Sequence, residues 1–351
     1  MGELKLAFLG FGTVAQGCAR HIVANEPRLE QEYGFRYKVV AISDPVKGSL
    51  LNLNEGIDLR RALQLLSERK TLEDMNGKTG LSSIETIAAS QADVLIEATW
   101  TNLENGEPGL SHIIAALEAG MDVATSNKGP IALAFKKLRD LANSKGRQLR
   151  FESTVMSGTP LLNMREFCLA GAKISAVKGI LNGTTNYILT EMARGKSYSE
   201  ALRRAQELGY AEADPSGDVE AYDPAAKITI LANALMDADL DFKQVKREGI
   251  NRIEMKDVEK AIEDGKVLKL IASARRNEKS QVEASVKPIL LPQTDMLAHV
   301  GGVMNALQIS MDTQPDVTIV GPGAGGDSAG YGLLSDILTI HRLRLNEELV
   351  E

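Results

Sequence analysis

Cysteine, histidine and long apolar runs are all scarce in this chain, and each scarcity removes a class of function. The two cysteines, Cys18 and Cys168, stand far apart with no CxxC spacing, which excludes a disulfide framework and a thiolate metal centre. Both lie in helix-like sequence and suit a reducing compartment, so a cytoplasmic location is expected. The four histidines, His21, His112, His299 and His341, show neither HxH nor HExxH spacing and are read as structural or surface residues. No apolar stretch approaches the roughly 18–20 residues that span a bilayer. The short apolar N-terminal run has no basic lead-in and passes straight into a glycine loop, so it is a strand and not a signal peptide. Basic runs are missing too: 40 Lys and Arg face 47 Asp and Glu, for a net charge of −7. Without a basic patch to displace counterions, nucleic acid is excluded as a partner, as is a membrane.

What is present is an ordinary globular composition, 44% hydrophobic and 25% charged over 351 residues. At roughly 100–200 residues per domain, that is material for about two. The first half alternates strand-like and helix-like stretches. Residues 4–10, 37–43, 93–98 and 122–125 read as short buried strands; 13–25, 110–119 and 131–145 read as helices. This alternation predicts an α/β fold, with a Rossmann-like domain over residues 1–150 built on a parallel sheet. Residues 45–79 look like an excursion between the second and third strands, helical around 59–66. From Phe151 the regular alternation is lost. Strands at 174–180 and 281–289 and helices at 199–208 and 224–235 predict a mixed α+β domain over 151–320. The remainder, 321–351, is expected to return to the first domain.

Residues 10–17 read GFGTVAQG. Gly10 and Gly12 follow the first strand, and Ala15 replaces the third glycine of GxGxxG, an accepted variant. A tight turn at Gly10 and a bare Cα at Gly12 let backbone N–H groups and a helix N-terminus approach a pyrophosphate. A plain strand-to-helix turn is the alternative, and the strand–turn–helix context favours the dinucleotide. At the end of the second strand Asp44 is suited to a ribose diol and argues for NAD, although its distance from the loop exceeds the usual ~20 residues. Lys47 nearby suits a 2′-phosphate, so NAD and NADP both stay open.

The stretch from Gly209 to Lys227, GYAEADPSGDVEAYDPAAK, gathers Glu212, Asp214, Asp218, Glu220, Asp223 and Lys227. Pro224 marks the start of a helix with Asp223 at its N-cap and Lys227 on the first turns. A calcium loop fails, because Ala225 stands where a bidentate glutamate is required. One reading is a solvated acidic turn with a helical ion pair. The other has carboxylates binding a substrate ammonium while a lysine, its pKa lowered by burial or a second cation, moves protons. Removing hydride from an alcohol carbon requires that the hydroxyl proton also leave, and Lys227 is placed for that.

Seven blocks carry a family resemblance: GFGTVAQG (10–17), ATWTN (98–102), ATSNKGP (124–130), FESTVMSGTP (151–160), GILNGTTNYI (179–188), ELGYAEADPSGDVEAYDPAAKITILA (207–232) and GPGAGGDSA (321–329). In these, and in their order along nearly the whole chain, the sequence closely resembles homoserine dehydrogenases. The resemblance implies interconversion of L-homoserine and L-aspartate 4-semialdehyde with NADP or NAD, in threonine, methionine and isoleucine biosynthesis. It implies Lys227 as the acid/base at the reacting oxygen and Lys128 as a second catalytic lysine that also reaches the cofactor. Glu212, Asp223 and the nearby Asp218 would hold the substrate, with Gly183 and Thr184 from NGTTN. Cofactor contacts would come from Gly10, Gly12, Thr13, Val14, Asp44, Thr99, Gly209 and Gly325. A monovalent cation, sodium in the family, would be bound by Glu152 and carbonyls at Val155, Ser157 and Thr159. A homodimer with a sheet continued across subunits is also implied. The sequence Ala-Tyr-Asp-Pro-Ala at 221–225 departs from the family's usual Gly-x-Asp-Ala-Ala. Two other readings are a dehydrogenase of another small amino-hydroxy acid and a catalytically silent dinucleotide-binding or regulatory protein. Retention of Lys128, Glu212, Asp223 and Lys227 together argues against the silent one.

Overall fold

The computed structural model describes residues 2–348, which form two compact units: the chain up to Gly158 with the segment from Gly325 onward, and Thr159–Ala324. The first unit begins with β1 (Leu4–Leu9), α1 (Thr13–Tyr33) and β2 (Tyr37–Asp44). There follow β3 (Gly48–Leu51), α2 (Leu59–Ser67), β4 (Lys78–Thr79), α3 (Ser83–Ser90), β5 (Val94–Glu97) and α4 (Gly109–Glu118). It continues with β6 (Asp122–Thr125), α5 (Lys128–Ser144), β7 (Leu149–Arg150) and the single turn α6 (Ser153–Met156). The sheet order is β4-β3-β2-β1-β5-β6-β7, parallel from β2 to β7. β5 and β6 are buried at every position and β1 at five of six, as strands covered by helices on both faces must be. This Rossmann-like α/β architecture brings the strand ends that follow Leu9, Asp44, Glu97 and Thr125 to one edge, where ligands of such sheets bind.

Two features differ from the sequence reading. The first helix runs on to Tyr33 through Pro27. Proline removes the N–H that Val23 would have received, and Arg60 of α2 donates to the freed carbonyl at 3.3 Å instead. The segment 45–79 is more than an excursion. β3 pairs antiparallel with β2, and β4 with β3, so it adds two strands to the sheet and makes β4 its edge.

The second unit holds α7 (Leu162–Phe167), β8 (Ile174–Ile180), α8 (Gly183–Met192), α9 (Tyr198–Glu207), α10 (Ser216–Val219) and α11 (Tyr222–Met236). It is completed by β9 (Lys246–Arg247), α12 (Met255–Glu263), β10 (Lys266–Arg276), β11 (Val282–Pro292), β12 (Met304–Met311) and β13 (Val317–Pro322). Its mixed sheet has the order β13-β12-β8-β10-β11-β9, antiparallel except where β9 meets β11. Ile180, Ile271, Leu291, Leu297 and Ala306 form an apolar cluster on it. Strands β10, β12 and β13 escaped the periodicity reading. In β10 the run Leu268–Ala272 is buried without a break, a pattern that does not tell a strand from a buried helix.

The last helix, α13 (Gly326–Glu348), belongs to the first unit and packs along α1. The backbones touch: a Cβ on Gly330 would lie 2.3 Å from the Cys18 nitrogen. Farther along α13, Arg344 donates to Asp122 Oδ2 at 2.5 Å and to the Asp93 carbonyl at 2.9 Å.

Candidate functional site

In the first unit the glycine loop is shaped by backbone constraints. Gly10 has φ +75°, and a Cβ there would sit 2.6 Å from the Ala98 carbonyl oxygen, so only glycine fits. Gly12 is the N-cap of α1; it gives no side-chain cap, and the first turn carries no acid. A Cβ on Gly12 would meet nothing within 4 Å. The positive end of α1 and its first N–H groups are therefore presented with room for an anion, so the loop fits a dinucleotide pyrophosphate. Thr13 is exposed and Val14 half-buried beside it.

Asp44 faces inward at the end of β2. Its Oδ2 accepts from Phe11 N at 2.8 Å, and its Oδ1 accepts from Val46 N at 2.9 Å and Lys47 N at 3.0 Å. Burial alone would push this carboxyl up. The three N–H groups, with Lys47 at 3.8 Å, hold it below the ordinary value.

The fully buried Glu97 joins two further loops. It accepts from the Thr99 N–H at 3.1 Å, from the Thr99 hydroxyl, and from Thr125 Oγ1 at 2.9 Å. Asn127 accepts from Gly129 N at 3.1 Å as the cap of α5 and donates to the Trp100 carbonyl at 3.2 Å. Lys128, the first residue of α5, is thereby fixed relative to Thr99. Neither Glu97 nor Asn127 was singled out from the sequence; Asn before a helical run is a cap signal that would have found the second.

In the second unit the acid–lysine stretch folds onto the start of α8. Lys227 is buried, 2.8 Å from Asp223 Oδ2, and donates to the Leu181 carbonyl at 2.8 Å. Asn182 donates from one amide nitrogen to Asp218 Oδ1 at 2.6 Å and Asp223 Oδ2 at 2.9 Å. Its carbonyl oxygen caps α8 by accepting from Thr185 N at 2.9 Å. Burial, reinforced by the charge of Asp223, pushes Asp218 up. Asn182, Thr184 and Lys227 pull against that rise. Asp218 and Asp223 are half-buried in this cluster, and Lys227 and Asn182 are buried.

The helical expectation at Asp223 is corrected. Ala221, in the left-handed region at φ +66°, is the N-cap of α11, and Asp223 lies inside the first turn. Pro224 still fits there, because first-turn N–H groups have no partner within the helix. Thr184 donates to the Tyr210 carbonyl at 2.7 Å, and Gly183 opens α8. Glu212 is exposed. Gly209 and Gly325 are exposed glycines with positive φ.

Glu152, Val155 and Ser157 are buried around α6 in the first unit. The Glu152 N–H donates to Asp336 Oδ2 at 2.8 Å, and Ser157 takes φ +53°. Thr159 opens the second unit, its hydroxyl donating to the Pro322 carbonyl at 3.1 Å. Carboxylate and carbonyl oxygens of this kind suit a hard cation. Asn182 and Lys269 are two more polar residues of the second unit that sequence reasoning missed. Lys269, buried in β10, donates to Asn186 Oδ1 at 2.9 Å and the Val300 carbonyl at 2.6 Å. Burial draws its pKa down to about 8.

Two family models match this chain, one described as the NAD binding domain of homoserine dehydrogenase over residues 10–152, the other as homoserine dehydrogenase over 160–338. A homoserine dehydrogenase of Sulfurisphaera tokodaii is 44% identical over 339 residues, 97% of this chain and 99% of the relative. An NAD(+)-dependent homoserine dehydrogenase of Pseudomonas canavaninivorans is 40% identical over 343 residues, 97% of each. A hyperthermophilic archaeal homoserine dehydrogenase in complex with NADPH superposes with a TM-score of 0.81 at 27% identity, covering 97% of this chain and 98% of that one.

Proposed function

The chain belongs to the homoserine dehydrogenase family, and from that premise we propose how its own residues carry the reaction. The enzyme is an NAD(P)-dependent oxidoreductase acting on a CH–OH group, interconverting L-homoserine and L-aspartate 4-semialdehyde in amino-acid biosynthesis. The observation that carries the residue assignment is the half-buried array of Lys227, Asp223, Asn182 and Asp218 in the second unit.

Asp218 and Asp223 receive the substrate ammonium, an opposite charge that favours the ionised form of both carboxylates. Glu212 joins them from its exposed position, and Gly183 and Thr184 line the same place at the head of α8. Lys227 acts at the reacting oxygen. Its ammonium, held by Asp223 and the Leu181 carbonyl, donates a proton as aldehyde becomes alcohol and recovers it from the hydroxyl in reverse. Bound NAD(P) supplies the hydride acceptor or donor. Lys128, set on α5 through the Glu97–Asn127 network, is the second catalytic lysine and contacts substrate and cofactor.

Gly10, Gly12, Thr13 and Val14 cradle the pyrophosphate, while Thr99, Gly209 and Gly325 complete the cofactor site. Glu152 with carbonyls of Val155, Ser157 and Thr159 binds a monovalent cation, sodium, in a structural role. The working form is a cytoplasmic homodimer, and the two free thiols, Cys18 and Cys168, suit that compartment. Among the described residues no helix is long and apolar enough to cross a membrane.

The test is absorbance at 340 nm with purified protein, L-homoserine, and NAD or NADP in parallel. Homoserine-dependent reduction that Lys227→Ala abolishes supports the assignment. Near-normal turnover in Lys227→Ala removes the acid/base role. Cofactor binding without turnover in either direction, with sodium and potassium both supplied, points to the silent protein.

A further inference from the structure

A cavity of about 490 Å³ opens beside the glycine loop, formed by the first turns of α1, the turn after β2 and the end of α2. Its size lies in the range of a small-ligand site. Four cations line it, Arg20, Lys47, Arg69 and Lys70, and no carboxylate does. That is an unusual concentration in a chain with seven more acids than bases. Lys70 and Arg20 pair with Glu68 and Asp327, which lie outside the lining. Arg69 is held in the left-handed region at φ +59°, a conformation that costs an ordinary residue stability and persists where surrounding structure imposes it. Apolar surface completes the cavity: Leu63 and Leu66 line it, with Val46, which is 85% exposed.

Asp44 is the residue that would ordinarily select a free ribose diol. Here both its oxygens are engaged by the N–H groups of Phe11, Val46 and Lys47, and only 9% of it is exposed. It serves as a staple between the glycine loop and the β2–β3 turn, and Lys47 stands against its charge at 3.8 Å. The acid is turned away while the cations face the cavity.

We propose that this cavity seats a 2′-phosphorylated adenosine, its base on Val46, Leu63 and Leu66 and its phosphomonoester among Lys47, Arg69 and Lys70, so that the enzyme prefers NADP(H) to NAD(H). The inference rests on dinucleotide binding by the first unit and adds the choice between the two cofactors, which relatives named for NAD(+) and solved with NADPH leave open. Arginine and lysine bind a dianionic phosphate through charge-assisted hydrogen bonds, whereas the unphosphorylated ribose offers those cations nothing of opposite charge.

Isothermal titration calorimetry with the full chain and two half-cofactors, 2′,5′-ADP and ADP, reads the phosphate's contribution without catalysis. The wild type is expected to bind 2′,5′-ADP at least about tenfold more tightly than ADP at low ionic strength, with the ratio shrinking as salt screens the exposed cations. In Lys47→Ala/Arg69→Gly, where glycine keeps the left-handed backbone, the ratio falls towards one. Equal affinities in the wild type, or tighter binding of ADP, overturn the NADP preference while leaving dinucleotide binding intact. Failure of both nucleotides, and of NADPH and NADH, removes dinucleotide binding and the proposal with it.

Discussion

Two aspartates, one in each unit, are perturbed in opposite directions. Asp44 accepts three backbone N–H bonds and lies below the ordinary carboxylate range; Asp218 is half-buried beside Asp223 and lies above it. The first is a satisfied charge that the fold has used up in tying a loop to a strand. The second is an acid whose burial and acidic neighbour disfavour its charge. The difference separates a structural acid from a binding acid: a carboxylate whose environment disfavours its charge has something to gain from an incoming cation. The same division runs through the two units. The first presents backbone N–H groups at the glycine loop and the start of α1, and the second brings together charged side chains at the head of α8.

The comparison breaks most deeply at Lys227. Replacing it with methionine is expected to lower kcat by about 10²- to 10⁴-fold, the usual range for general acid–base catalysis, while NADPH affinity persists because the glycine loop is untouched. Steady-state kinetics and calorimetry on one preparation separate the two. Loss of both together would mean that Lys227 holds the fold and not the proton. Next comes Asn182, whose single amide nitrogen bridges Asp218 and Asp223. Hydrogen bonds to charged groups contribute about 1.5–3 kcal/mol, so Asn182→Ala should raise the KM for homoserine by roughly tenfold to a hundredfold and alter kcat less. A change in kcat alone would place the amide at the reacting oxygen.

At Asp44 the expected effect is on stability. Asp44→Ala leaves the N–H groups of Phe11, Val46 and Lys47 without their acceptor, at a cost of about 1–3 kcal/mol, measured by denaturant unfolding. Because its folded pKa is depressed, the carboxylate's contribution is present above its unfolded pKa and is lost as pH falls through the folded value. The substitution should therefore flatten the acid limb of the stability profile. An unchanged acid limb would show that these bonds persist no better than water replaces them.

Legibility in the sequence followed the same line. Short strands at 4–10 and 122–125, alternating with helical stretches, marked the parallel sheet. The glycine loop and the Asp223–Lys227 pair could be picked out because their chemistry is local. Asn182, Glu97 and Lys269 could not. Each acts on partners distant in sequence, Asp218 for Asn182, Thr125 for Glu97 and Val300 for Lys269, and a lone polar residue at the end of a strand or inside one carries no periodic signal. The cavity lining was equally hidden, because α1 and residues 46–71 meet only in the folded sheet.

The subtlest consequence concerns Asp218 itself. An acid whose folded pKa is raised contributes stability that is complete below its unfolded pKa and lost as pH rises through the folded value. At neutral pH the wild type therefore carries the cost of a partly buried charge that Asp218→Asn would not. Asparagine keeps an acceptor for Asn182 and removes the repulsion from Asp223. Differential scanning fluorimetry across pH should find Asp218→Asn at or above the wild-type Tm near neutrality, with the advantage vanishing towards acid. Kinetics should find it poorer at binding homoserine. Saturating homoserine should then raise the wild-type Tm more than the variant's, because ligand stabilisation scales with affinity. If the variant is less stable than the wild type near neutrality, the negative charge of Asp218 is paired by the protein's own groups, and the contrast with Asp44 fails.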